Sequence, residues 1–245
     1  MFIDIHCHLD MLKNPEEAIE EAKKSNVRII VSNGVNYESN RKILEFASKF
    51  KEVKAALGIY PIDALKMSDS GIDAEIKFIK ENKDKIVAIG EVGLDLKESS
   101  NLKKQEENFI KFINLAKELE KPIIVHSRNA ESHCIQLLEK AMAEKVIMHC
   151  FCGTLPLVRK IIENSWFLSI PTSIAYKEWF QQLVKEAPIE NLLCETDSPF
   201  LHPDKKFPNE PSNVIESYKK IAEIKNLSLA EVEKIIEENY KGLFD

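Results

Sequence analysis

Phe2-Ile3-Asp4-Ile5-His6-Cys7-His8 opens the chain, and its reading decides the fold. An apolar run that ends in two histidines reads as a buried strand with ligand residues at its C-terminal end. The arrangement returns further along. Ile86-Val87-Ala88-Ile89-Gly90 runs into Glu91, Pro122-Ile123-Ile124-Val125 into His126, and Val146-Ile147-Met148 into His149. Leu192-Leu193-Cys194-Glu195 runs into Thr196-Asp197. In a barrel of parallel strands the C-terminal ends converge on one mouth, where such enzymes keep their chemistry. Five separate segments would then deliver four imidazoles and two carboxylates to one place.

Working outward, strand-like runs fall at residues 2–6, 27–32, 53–58, 86–90, 122–126, 145–149, 166–170 and 192–195. Amphipathic stretches follow them at 15–25, 37–50, 73–82, 102–119, 130–143, 155–164 and 177–186. Alternating β and α units in this number predict an α/β fold, a (β/α)8 TIM barrel. Asn14 before Pro15 predicts a capped helix start. Residues 212–225 and 229–240 predict extra C-terminal helices, the second opened by a capping box of Ser228 and Glu231. A doubly wound sheet would carry a glycine-rich phosphate loop after its first strand. His6-Cys7-His8 stands there instead, and the chain holds only seven glycines. The stretches 60–70 and 199–211 follow strands and are expected to wall the mouth.

The 245 residues suit one barrel, so residues 1–245 are expected to form a single hydrolase domain. No apolar run approaches the ~20 residues that span a bilayer. No basic leader with a cleavage site opens the chain. A cytoplasmic monomer without membrane contact is the expectation. The formal charge of -6 argues against a broad basic face for long duplex. It leaves room for phosphate affinity carried by divalent ions. Five cysteines in this length make no disulfide framework. Cys7, Cys150, Cys152 and Cys194 stand beside strand ends, where small reduced fillers are expected. Their spacing is not that of structural zinc.

Residues two apart on a strand share a face, so His6 and His8 can approach one metal together. A lone His-x-His pair is a weak signal, and its company strengthens it. Glu91 lies between Gly90 and Val92-Gly93 at the end of a buried strand, poor ground for a solvated glutamate. Its two oxygens can bridge two cations. His126 and His149 would complete one metal, and Asp197 would join His6 and His8 at the other. Glu91 and Asp197 are the candidate catalytic carboxylates, with Asp197 placed to take a proton from the attacking water. Two ions about 3.5–4 Å apart can hold both the attacking and the leaving oxygen. The mixed donors leave Mg²⁺, Mn²⁺ and Zn²⁺ open.

At these residues the chain resembles the TatD family of metal-dependent deoxyribonucleases, within the amidohydrolase-like barrels. The blocks that carry the resemblance are Asp4-Ile5-His6-Cys7-His8-Leu9-Asp10, Ala88-Ile89-Gly90-Glu91-Val92-Gly93-Leu94-Asp95 and Ile124-Val125-His126-Ser127-Arg128. His149-Cys150-Phe151-Cys152-Gly153, Glu195-Thr196-Asp197-Ser198-Pro199 and Asn209-Glu210-Pro211 continue it over nearly the whole chain. The resemblance implies a (β/α)8 barrel, two divalent metals, and hydrolysis of phosphodiesters as a 3′-to-5′ exonuclease on single-stranded DNA or its ends. It also implies His6, His8, Glu91, His126, His149 and Asp197 as the metal ligands. The chain departs from the family on the substrate side. Tyr60 stands where the family has a histidine before Pro61, Leu96 where it often has an aromatic, and Lys205-Lys206-Phe207-Pro208 where it has basic residues before Asn209.

Candidate substrate contacts are Arg128, Tyr60, Glu195 and His202. Arg128 suits a bidentate grip on phosphate or a structural pair with Glu195 or Asp95. Glu195 suits either the substrate side or the orienting of a ligand. Tyr60, Phe151, Trp179 and Phe200 could stack on bases. Lys177 is a further loop candidate. A second reading puts another ester on the same metals, a D-aminoacyl-tRNA or a small phosphoester, because fold does not fix function. A third, a scaffold with structural metals, sits poorly with an open two-metal mouth.

Overall fold

The computed structural model describes residues 1–244. Eight strands are present: β1 (Phe2–Cys7), β2 (Val27–Asn33), β3 (Val53–Leu57), β4 (Ile86–Asp95), β5 (Ile123–Arg128), β6 (Val146–Met148), β7 (Phe167–Pro171) and β8 (Leu192–Glu195). Neighbours pair in parallel in the order β1 to β8. The helices between them are α1 (Pro15–Lys24), α2 (Tyr37–Lys49), α3 (Pro61–Ala64), α4 (Asp69–Glu81), α5 (Leu102–Glu118), α6 (Glu131–Lys140), α7 (Leu155–Glu163) and α8 (Glu178–Glu186). Two more, α9 (Ile215–Lys225) and α10 (Leu229–Phe244), follow β8. This is the (β/α)8 barrel with C-terminal helices that the alternation predicts.

The barrel closes where its first and last strands meet. Asp197 N donates to His6 O at 2.9 Å, and His8 N donates to Ser198 O at 2.7 Å. Asp4, fully buried, accepts from Thr196 N at 2.9 Å and Thr196 Oγ1 at 2.6 Å. Tyr218 on α9 locks the same strand, accepting from Ile3 N at 3.0 Å and donating to Ile3 O at 3.2 Å. Strand side chains such as Ile3, Ile5, Ile30, Ile124, Ile147 and Leu193 are wholly buried. Each contributes about 1.5–3 kcal/mol of burial free energy.

Some boundaries differ from the sequence reading. β4 runs on from residue 90 to Asp95. Glycine makes this possible: a Cβ on Gly93 would lie 1.9 Å from His126 O, and Gly93 holds φ 145°. The stretch 60–70 contains α3, and α4 starts at Asp69 because the Ser68 side chain accepts from Gly71 N. Asn14 does not cap α1; its side chain donates to Glu17 instead, at 3.0 Å. The Ser228–Glu231 capping box is present. No helix among the described residues is long and apolar enough to cross a membrane.

Candidate metal centre

The strand ladders break at two ligand-bearing points. Between Asp4 and Cys7, three steps on β1 meet two on β2 (Ile30 to Ser32); between Ile89 and Val92, three on β4 meet two on β5 (Ile123 to Val125). Such bulges re-aim side chains, here those of His6 and Glu91. At the far ends, Cys150 and Asp197 turn the chain with φ 42° and 54°. Aspartate tolerates this left-handed conformation better than most residues.

All six predicted ligands converge. His6 Nε2 and His8 Nε2 lie 3.3 Å apart. Asp197 Oδ1 is 3.5 Å from each. Glu91 Oε2 is 3.6 Å from His6 Nε2 and 3.4 Å from His8 Nε2. Its other oxygen, Oε1, is 2.8 Å from His126 Nδ1 and 3.9 Å from His149 Nε2. The ligand atoms of His6, His8 and Asp197 form one compact cluster, and those of Glu91, His126 and His149 form another. Imidazole nitrogens and carboxylate oxygens that face one another across a few ångströms fit divalent ions of the zinc, manganese or magnesium kind. No cysteine joins a cluster among the described residues. Cys7, Cys134 and Cys194 are buried fillers, while Cys150 and Cys152 line the mouth.

Of the four candidate ligand histidines, all but His6 are held from behind. His8 Nδ1 donates to Asn33 O at 3.0 Å, and His149 Nδ1 donates to Glu195 Oε2 at 2.9 Å. His126 Nε2 donates to Asp95 Oδ2 at 3.1 Å. These bonds fix the rings and leave the opposite nitrogen for a metal. His6 Nδ1 has no such partner; its ring stacks on His149, with centroids 3.7 Å apart.

The electrostatics favour positive charge on this floor. Burial works against the charge on His8, but Asp197 and Glu91 outweigh it and raise its pKa to about 9. Burial likewise opposes charge on His149, and Glu195 with Asp197 raises it to about 10. His6 goes the other way, to about 4, through burial and its neighbour His149. Burial would raise Glu91 and Asp197, yet the surrounding histidines hold both well below the usual carboxylate range. A field that holds protons on imidazoles between ionised carboxylates suits cations, which compete with those protons.

The floor opens into a cavity of about 560 Å³. Arg128 lines it, exposed and without an ion pair among the described residues, so neither Glu195 nor Asp95 engages it. Lys177 and Phe200 also line it. Tyr60 lines it too, but its hydroxyl is committed, donating to Asp95 Oδ2 at 2.6 Å. Glu195 corrects the substrate-side expectation. It is buried behind His149, which it holds by a hydrogen bond, accepts from Ser169 Oγ at 2.5 Å, and is shut off from the cavity. His202 is not among the lining residues; it is half-buried, and its Nδ1 accepts from Asp204 N at 3.0 Å. Phe151 is buried, which removes it as a stacking surface; Trp179 is half-buried, and its indole N–H donates to Phe151 O at 3.0 Å. The sequence reading missed what Asp95 does for His126. The one sequence signal for it was the aspartate that ends the Gly90-Glu91-Val92-Gly93-Leu94-Asp95 block.

Known proteins resemble the chain over nearly its whole length. The family model described as TatD related DNase matches residues 3–245. An uncharacterized metal-dependent hydrolase of Methanocaldococcus jannaschii is 37% identical over 241 residues, 97% of this chain and 94% of that protein. The human deoxyribonuclease TATDN3 is 35% identical over 257 residues, 99% of this chain and 94% of the relative. The crystal structure of the TatD homologue YJJV from Escherichia coli K12 matches with a TM-score of 0.93 at 25% identity, covering 99% and 97% of the two chains.

Proposed function

The chain belongs to the TatD related DNase family and is a metal-dependent hydrolase of that type, and from this premise we propose that it is a two-metal deoxyribonuclease shortening single-stranded DNA from the 3′ end. The observation that carries the two-metal reading is Glu91, whose Oε2 faces His6 and His8 while its Oε1 faces His126 and His149. His6, His8 and Asp197 would hold one ion, His126 and His149 the other, with Glu91 shared. Such a pair, when bound, supplies Lewis-acid charge to the scissile phosphate and acidifies the attacking water.

The chain's own residues do the rest. Asp197 turns Oδ1 to the histidines, and its other oxygen is available to take the proton of the attacking water. The unpaired Arg128 guanidinium suits a bidentate grip on a phosphate oxygen pair. Asp95 and Glu195 keep His126 and His149 turned to the floor, and Tyr60 braces Asp95.

The test is nucleotide release from 3′- and 5′-labelled single-stranded DNA with Mg²⁺, Mn²⁺ or Zn²⁺, and with chelator as control. Stepwise loss from the 3′ end that needs metal, is absent in His126→Ala and has a raised KM in Arg128→Ala is the expected result. Release that persists in chelator or in His126→Ala would sink the proposal. No release with any metal would move the reading to a D-aminoacyl-tRNA or a small phosphoester.

A further inference from the structure

One feature of the mouth is left unused by this chemistry. Phe200 and Phe207 stand on the loop that follows β8, and both show their rings to solvent, 46% and 73% exposed. Their centroids lie 6.5 Å apart, tilted by 45°. Phe200 also lines the cavity, and its ring meets that of the ligand His8 edge-on at 6.4 Å. Two large apolar side chains kept in water beside a metal floor contribute little to the core, so their placement asks for a ligand.

The loop that carries them is anchored. Asn209, fully buried, donates from its backbone to Pro199 O at 2.8 Å and from its side chain to Thr196 O at 2.9 Å and Thr172 Oγ1 at 3.0 Å. Thr172 Oγ1 in turn donates to Leu201 O at 2.7 Å. The aromatic tips thus rise from a fixed base. Cations flank them. Lys205 sits over the Tyr176 ring at 4.7 Å, Lys206 pairs with Asp204 in the open, and Lys177 and Arg128 line the cavity beyond.

We infer that Phe200 and Phe207 form a stacking platform for an unpaired nucleobase next to the scissile phosphodiester, with the neighbouring lysines facing the strand's phosphates. Flat π-faces beside cations are the surface that single strands use, and stacking is indifferent to base identity. In a duplex, pairing and stacking hold each base in the helix, and bringing one onto the platform beside the scissile phosphate costs that unpairing, so the platform favours frayed or single-stranded ends. This rests on the nuclease reading above and adds to it the element that would set strand preference.

The experiment compares two single-stranded oligonucleotides, one with a terminal thymidine and one with a terminal abasic tetrahydrofuran residue, and reads kcat/KM with wild type, Phe200→Ala, Phe207→Ala and the double variant. Wild type is expected to prefer the base-bearing end by about five- to a hundredfold, and the double variant to lose most of that ratio. An equal fall on both substrates, or no preference in wild type, would overturn the platform while leaving the nuclease reading intact. A second arm needs no turnover: the fluorescence of a terminal 2-aminopurine in a single strand is titrated with each protein in chelator. Quenching by wild type that the double variant lacks supports the platform even if no DNA is cut, the outcome that would sink the nuclease reading alone. Equal quenching by both proteins overturns it.

Discussion

The backbone N–H of Asp197 donates to the carbonyl oxygen of His6 at 2.9 Å. This single bond joins two proposed ligands, one on the first strand of the barrel and one just past the end of the last. Beside it, Asp4 accepts from both the N–H and the hydroxyl of Thr196. Asp4→Ala would take this acceptor from three buried donors, Thr196 N, Thr196 Oγ1 and His6 N, at about 1–3 kcal/mol for each left unpaired. The loss should appear as a lower urea midpoint. It should also weaken metal at the His6, His8 and Asp197 cluster more than at the other, a difference readable by metal analysis after dialysis.

Asp95 and Glu195 act through the rings they hold. Asp95→Asn and Glu195→Gln keep the shape and remove the charge behind His126 and His149. Each should cost about 10–100-fold in metal affinity or activity, with the far-ultraviolet spectrum unchanged. Direct titration with Zn²⁺ or Mn²⁺ separates this from a substrate effect, because KM for DNA at saturating metal should barely move.

Tyr218→Phe tests the clamp on β1. The hydroxyl is buried and bonds both the N–H and the carbonyl of Ile3. Its loss leaves those groups unpaired and should lower unfolding stability by about 1–3 kcal/mol. An unchanged denaturation midpoint would show that water or a neighbour replaces it.

The architecture and the convergence of the six candidate ligands were legible because their signals are local. An apolar run with a histidine or carboxylate after it needs no knowledge of what lies across the barrel. Glu91 was readable in this way, flanked by Ile86–Gly90 and Gly93. The partners behind the ligands were not. Asn33 serves His8 through a backbone carbonyl, which no side chain announces. Glu195 alternates with Asp197, a pattern that fits the mouth and the interior equally; only the bond to His149 decides between them. The end of β4 was misread because glycine usually interrupts a strand, whereas Gly93 lets this one pass the His126 carbonyl. Tyr60 read as a cavity-lining ring, but nothing in its sequence neighbours announced that its hydroxyl also donates to Asp95.

Cys152 gives a pH test outside the ligand set. The Cys150 thiol beside it, with Lys177 further off, outweighs burial and brings its pKa down to about 7. The thiolate is the reactive form, so alkylation by iodoacetamide should rise with pH through about 7 and level off roughly one unit above. Cys150, pushed up by its neighbour and by burial, should lag behind. Peptide mass spectrometry across pH 5–10 reads both; modification of Cys152 only above about pH 9, as for an ordinary thiol, would contradict the local field.

One ligand cluster straddles the seam between β1 and β8, while the other lies on β4, β5 and the turn after β6. A fragment that stops before β8 would retain Glu91, His126 and His149 but lose Asp197. Ion capture at the seam would therefore report that the ring has shut. By mass action an ion bound only to the shut ring stabilises it by RT ln(1 + [M]/Kd), about 2.7 kcal/mol at a hundred times Kd. Metal supply would then set how much of the chain survives a proteolytic challenge, quite apart from how fast it works.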